Sequence, residues 1–190
     1  ALLQNMEEKY ALVIGSEEIS KIMDFKDRNT CVLFGDGAGA LVVGNGDGIF
    51  ASYSNSAGNL EALKAPAISK SNQDHYLTMA GQEVFKFAIK VIPESINAIL
   101  EKTNLTLDEI DYVVCHQANY RIIKNVYKKM KSSEDKFYMN LQEYGNTSAA
   151  SIPLALGEMN EKGMLRPGDK IICVGFGGGL TWGATLMEWS

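Results

Sequence analysis

Residues 111–131 read DYVVCHQANYRIIKNVYKKMK, and a change of period inside this stretch decides the fold class. Asp111 to Cys115 is a short apolar run rich in β-formers, which predicts a buried strand. From Asn119 to about Lys131 the apolar residues Ile122, Ile123, Val126 and Met130 recur at helical spacing, opposite a stripe of Arg121, Lys124, Lys128 and Lys131. A strand that passes straight into a helix is the repeating unit of layered α/β proteins. It also puts His116 at the carboxyl end of a strand, where such sheets gather their functional groups.

The pattern continues in both directions. Upstream, Met79 to Leu100 carries Val84, Phe85, Phe87, Ala88, Val91, Ile92, Ile96 and Ile99 at helical spacing, interrupted by Pro93, which predicts one long kinked helix. Thr106 and Glu109 form a capping-box pair before the strand. Downstream, the reading is a strand near Phe137 to Asn140, a helix from about Ser148 to Lys162, a strand at Lys170 to Val174, a glycine turn, and a closing strand at Leu180 to Glu188. In the first quarter, Ala1 to Lys9 reads as the end of a helix, and Tyr10 to Gly15 and Thr30 to Phe34 as buried strands. Ala38 to Gly44 is a further strand after a glycine turn. Asn45 to Asp74 is loop and irregular strand, with hairpin signals at Asn45-Gly46 and Asp47-Gly48. Strands alternating with helices in this order predict an α/β fold with a mixed sheet.

Composition narrows the function classes. With 46% hydrophobic residues in 190, the chain can bury a substantial core. Neither a bilayer-spanning apolar run nor a signal-peptide pattern is present, so a soluble, cytoplasmic protein is expected, with no membrane partner. Cys31, Cys115 and Cys173 are widely spaced and sit in apolar runs, which fits reduced thiols and neither disulfides nor a metal cage. Eighteen basic against 23 acidic residues give a net charge of -5, which disfavours a nucleic-acid partner.

Two glycine-rich turns, Phe34 to Ala40 (FGDGAGA) and Gly175 to Gly183 (GFGGGLTWG), invite a dinucleotide reading. That fingerprint needs a helix after the turn, whereas strands follow both. Gly35, Gly37 and Gly39 are better read as permitting close approach to a neighbouring segment. Three consecutive glycines after a buried strand leave backbone amides unshielded, which suits an oxyanion site. Cys115 and His116 alternate along a strand, so they face opposite sides and do not form a nucleophile pair. His75 reads as a surface residue of a polar loop. Asn146, in GNTS, has an ordinary reading as a helix-starting residue. The basic stripe beside His116 has two readings of equal weight, a solvated face or a docking surface for an acidic partner.

HQANYRII at His116 to Ile123, GNTSAASIPLAL at Gly145 to Leu156, GFGGGLTWGA at Gly175 to Ala184, FGDGAGA at Phe34 to Ala40 and MAGQEVFKFA at Met79 to Ala88 together resemble β-ketoacyl-acyl-carrier-protein synthase III. The resemblance runs the length of the chain and implies a thiolase-like layered fold in a homodimer. Residues 1–48 would end the N-terminal half and residues 49–190 would make the C-terminal half. It further implies a decarboxylating Claisen condensation of acyl-CoA with malonyl-acyl-carrier protein, with no cofactor beyond the CoA thioester and phosphopantetheine-borne substrates. His116 and Asn146 would hydrogen-bond the malonyl thioester carbonyl, Gly178 would serve the oxyanion hole, and Phe176 would pack beside them. Arg28 and Asn119 would meet CoA, while Arg121, Lys124 and Lys128 would dock the acyl carrier protein. On this resemblance the family's nucleophilic cysteine falls upstream of Ala1, so the 190-residue chain alone is expected to form no acyl-enzyme. A non-catalytic carrier-binding subunit and a secondary-metabolism acyltransferase are the alternatives.

Overall fold

The computed structural model describes residue 3 and residues 7–65 and 76–190. β1 (Tyr10–Glu17) and β2 (Gly37–Gly44) pair antiparallel as a two-stranded ribbon, with Tyr10 opposite Gly44 and Glu17 opposite Gly37. β3 (Ala51–Ser56) enters a different sheet, and β4 (Leu63–Lys64) pairs with β5 (Thr78–Met79) as a short clip. Then come α1 (Gly81–Thr103), β6 (Tyr112–Cys115), α2 (Tyr120–Lys129), α3 (Leu141–Tyr144), α4 (Ser151–Glu161), β7 (Lys170–Gly177) and β8 (Thr181–Glu188). The main sheet has the order β3-β8-β7-β6, with β6 and β7 parallel and the other pairs antiparallel. This is the mixed sheet that the alternation of periods predicts.

Both faces of the sheet are covered, which explains why β6 and β7 read as unbroken apolar runs. Val113, Cys115, Ile172 and Val174 pack with Ile92, Ile96 and Ile99 of α1 and Ile122, Ile123 and Val126 of α2. Their strand neighbours Val114, Ile171 and Cys173 pack with Ala155, Leu156 and Met159 of α4. Truncating any one of the three fully buried α1 isoleucines to Ala would cost about 2–5 kcal/mol. Among the described residues, no helix is long and apolar enough to cross a membrane.

α1 runs through Pro93 without a break. Proline has no N–H to give the carbonyl four residues back, so the Ile89 oxygen loses its helical donor. Lys129, at the end of α2, supplies one from Nζ at 3.4 Å. The capping box forms as expected, with the Thr106 amide and hydroxyl both donating to Glu109 Oε2 at 2.8 Å.

Several expectations are corrected. Thr30 to Phe34 is a turn, not a strand: Val32 is 69% exposed, and the Asp27 carboxylate accepts from the Asn29 amide and the Thr30 hydroxyl, coiling the backbone locally. Phe137 to Asn140 contributes only a single bridge, Phe137 to Val113, because the chain leaves the sheet edge at once. The Asn45-Gly46 and Asp47-Gly48 signals do not make a hairpin, since the strands they separate belong to different sheets. The helix expected from Ser148 starts as a 3-10 turn, Ser148–Ala150, before α4. Of the helix end expected over Ala1 to Lys9, residues 1, 2 and 4–6 lie outside the described residues, and Glu7 to Lys9 are not helical. His75 and most of the polar loop around it also lie outside them.

Candidate functional site

The last residue of β6 is followed by His116, whose amide donates to the Val174 carbonyl at 2.7 Å and so extends the parallel pairing by one residue. Alternation puts Cys115 toward α1 and α2 and His116 on the side of α4, as the strand period requires. His116 Nδ1 lies 2.7 Å from Ser151 Oγ, the first residue of α4. The ring stands edge-on to Phe176 of β7, with centroids 5.2 Å apart. Burial lowers the imidazole pKa to about 4, so the ring is neutral near pH 7. Burial also pushes the Cys115 and Cys173 thiols up to about 12, which leaves neither with usable thiolate.

Next to His116, buried Gln117 fastens the strand end. Its Nε2 donates to the Cys115 and Tyr138 carbonyls at 2.8 and 3.1 Å, and its Oε1 accepts from the Asn140 amide at 3.1 Å. Asn140 Nδ2 in turn donates to Glu158 Oε2 of α4 at 2.7 Å. A buried hydrogen-bonded network of this kind fixes a backbone more firmly than apolar packing alone.

Asn146 follows Gly145, whose φ of +68° suits a residue without a Cβ. Its backbone bonds on both sides to the Leu33–Gly35 turn, and its Oδ1 accepts from the Ser148 amide at 2.9 Å. The amide nitrogen Nδ2 makes no hydrogen bond to a described residue. Ser148 itself has φ +50°, a strained conformation for a residue with a side chain. The Gly178 amide, just past β7, likewise bonds to no described residue.

His116, Asn146, Phe176 and Gly178 all line one cavity of about 920 Å³. Asn119 and Arg121 border the same cavity. Asn119 caps α2 by accepting from the Arg121 amide at 2.8 Å, and the Arg121 guanidinium lies 5.9 Å from the Phe85 ring centroid. A second cleft of about 870 Å³ meets the first at His116, Ser148, Phe176 and Gly177. Arg28 does not line the cavity: it is exposed on the turn whose Asp27 and Asn29 do. Lys124 and Lys128 lie outside it along α2, and neither pairs with a described acidic side chain. Among the described residues, no group of three His, Cys, Asp or Glu is placed to hold a metal ion.

The glycines of FGDGAGA act as close-approach residues. A Cβ on Gly35 would sit 2.2 Å from the Tyr144 carbonyl oxygen, and one on Gly39 would sit 2.7 Å from Pro153 Cβ. Sequence reasoning missed Ser151 and Gln117. Ser151 follows Asn146 by five residues in the same motif, but a serine at a helix start is ordinary, and only its partner 35 residues away distinguishes it.

Two family models match the chain, 3-Oxoacyl-[acyl-carrier-protein (ACP)] synthase III over residues 1–58 and its C-terminal counterpart over residues 100–189. A β-ketoacyl-[acyl-carrier-protein] synthase III of Clostridium novyi is 51% identical over 199 residues, covering 99% of this chain and 61% of that protein. Among solved structures, the 3-oxoacyl-(acyl carrier protein) synthase III of Pseudomonas aeruginosa matches with a TM-score of 0.92 and 36% identity, over 99% of this chain and 60% of that one. The corresponding enzyme of Aquifex aeolicus matches with a TM-score of 0.88 and 43% identity, over 95% and 58%. The chain thus spans about three fifths of the length of the relatives it matches.

Proposed function

The chain belongs to the 3-oxoacyl-[acyl-carrier-protein] synthase III family and has its thiolase-like fold, and on that premise we propose that it serves the decarboxylating Claisen condensation of acyl-CoA with malonyl-acyl-carrier protein. The product is a β-ketoacyl-acyl-carrier protein, and the step begins fatty-acid synthesis.

One observation carries the reading: three neutral groups with free or freeable N–H donors border one cavity. Asn146 has its oxygen engaged and its nitrogen without a bond to a described residue, the Gly178 amide bonds to no described residue, and His116 has one ring nitrogen engaged and the other without a bond to a described residue. When the malonyl carbon–carbon bond breaks and carbon dioxide leaves, the electron pair passes into the thioester as an enolate. Donors from His116 and Asn146 stabilise that oxygen without delivering a full proton, so the carbon stays nucleophilic. It attacks an acyl thioester, whose oxygen becomes negative as the new bond forms. The Gly178 amide is suited to hold that oxyanion until the thiolate departs.

None of the three cysteines suits the acyl group: Cys115 and Cys173 are buried with thiol pKa values raised to about 12, and Cys31 lines neither cleft. The chain by itself is therefore expected to form no acyl-enzyme. Asn119 and Arg121 border the cavity and suit CoA and carrier-protein contacts respectively, with Lys124 and Lys128 extending the cationic face for an acidic carrier. Arg28, on the adjacent turn, is assigned to CoA. The proposal extends to a cytoplasmic homodimer that needs no resident cofactor, because its substrates are already activated thioesters.

The test is the full gene product with His116→Ala. It should still take acyl groups from acyl-CoA while losing malonyl decarboxylation and condensation by at least about a hundredfold. Condensation at the unchanged rate would refute the assignment.

A further inference from the structure

We propose that Ser151 is a positioning residue that sets the tautomer of His116, donating its hydroxyl proton to Nδ1 and so leaving the proton of the neutral ring on Nε2. This deepens the functional reading above and rests on it for its consequence, but not for its geometry.

The inference follows from accounting for one proton. Ser151 is only 2% exposed at the edge of the second cleft, and a hydroxyl so largely buried takes a protein acceptor where one is in reach. Its oxygen accepts from the Gln117 amide at 3.3 Å, which uses a lone pair and turns the hydroxyl toward its remaining neighbour. That neighbour is His116 Nδ1 at 2.7 Å, and among the described residues no carbonyl or carboxylate competes for the proton. The opposite arrangement, with Nδ1–H donating to the serine, would leave the hydroxyl proton without an acceptor among the described residues.

A neutral imidazole carries one N–H, so an acceptor at Nδ1 makes Nε2 the donor. His116 Nε2 has no hydrogen bond to a described residue. The low pKa of the ring keeps it neutral, and a neutral ring needs its tautomer chosen if it is to donate in one direction. Gln117 contributes twice, by pinning the strand end and by orienting the serine oxygen. The Nε2–H form is the one a thioester oxygen can use, and the Nδ1–H form would offer it a lone pair.

The test uses the full gene product labelled with ¹⁵N-histidine, with His75→Gln to remove the other histidine of this chain, and reads the His116 ring by long-range ¹H–¹⁵N correlation near pH 7. The expected result is an Nε2–H pattern in the parent, kept in Ser151→Thr, and a substantial Nδ1–H population in Ser151→Ala. An Nδ1–H pattern in the parent would overturn the proposal, and so would an unchanged tautomer in folded Ser151→Ala. The parent spectrum decides the matter even if Ser151→Ala does not fold. In activity, Ser151→Ala should lower kcat for condensation by about tenfold or more with KM for malonyl-carrier protein within about twofold, and Ser151→Thr should restore it. If His116→Ala left condensation intact, the functional reading would fail while the tautomer assignment stood or fell on the spectrum alone.

Discussion

Phe34 and Asn146 pair across a parallel bridge, with the Asn146 amide donating to the Leu33 carbonyl at 2.8 Å and its carbonyl accepting from the Gly35 amide at 2.9 Å. The site asparagine is therefore held by a turn 111 residues earlier in the chain, and that contact exists only because Gly35 has no side chain. Gly35→Ala would put Cβ 2.2 Å from a backbone oxygen that cannot rotate away. The expected cost is about 1–3 kcal/mol in denaturation, with malonyl decarboxylation in the full gene product falling further than acyl transfer. Gly46→Ala, where a Cβ meets nothing within 4 Å, should change neither and serves as the control.

The pH dependence of stability carries a signature of His116. Its pKa falls from 6.5 to about 4 on folding because the charged ring is poorly solvated. As pH drops through 6.5 the unfolded chain binds a proton that the folded chain refuses until about pH 4, so acid favours unfolding. The folded state should lose up to about 3 kcal/mol across that window relative to a His116→Gln variant, and nothing above it. Urea denaturation of both proteins from about pH 7 to about pH 4 measures the difference; parallel curves would mean that the ring titrates normally.

The cationic face of α2 should separate the two substrates. Arg121 borders the cavity and leans on Phe85, whereas Lys124 and Lys128 lie beyond it. Lys124→Glu with Lys128→Glu is expected to raise KM for malonyl-carrier protein about tenfold and leave KM for acyl-CoA within about twofold, with the gap shrinking as salt is added. Equal effects on both substrates would argue for a solvated face.

Pro93 and Lys129 should be coupled in stability. Lys129→Met strands the Ile89 carbonyl and is expected to cost about 1 kcal/mol. In a Pro93→Ala background the helix supplies its own donor, so the same lysine change should cost almost nothing. A double-mutant cycle by thermal denaturation reads the coupling; additive effects would remove Lys129 from this role.

Thiol accessibility checks the cysteine assignment. In the native chain Cys31, which is half-buried, should react with a thiol reagent, while Cys115 and Cys173 react only on unfolding. A stoichiometric acyl-enzyme on any of the three cysteines of this chain would contradict the proposal.

Much of this protein was legible in its residues alone. The runs at Asp111 to Cys115 and Lys170 to Val174 carry no polar alternation, which already required a sheet covered on both faces, and α1, α2 and α4 supply that cover. Opposite orientation of Cys115 and His116 followed from the strand period. The five motifs pointed to the family that the comparisons support, and the FGDGAGA glycines read correctly as a close-packing device. Thr30 to Phe34 misled because its apolar letters suit a strand, while an aspartate three residues earlier accepts the hydrogen bonds that coil it into a turn.

Periodicity is a local property, so element types, their order and their buried faces were set by the sequence itself. Which residues meet across the fold was decided only by tertiary structure. The Ser151 hydroxyl reaches His116 from 35 positions away because α4 begins beneath the end of β6. The Ile89 carbonyl finds Lys129 because α2 ends against α1. Hydrogen bonds depend on distance and direction between atoms, and the order of letters constrains neither until the chain has packed.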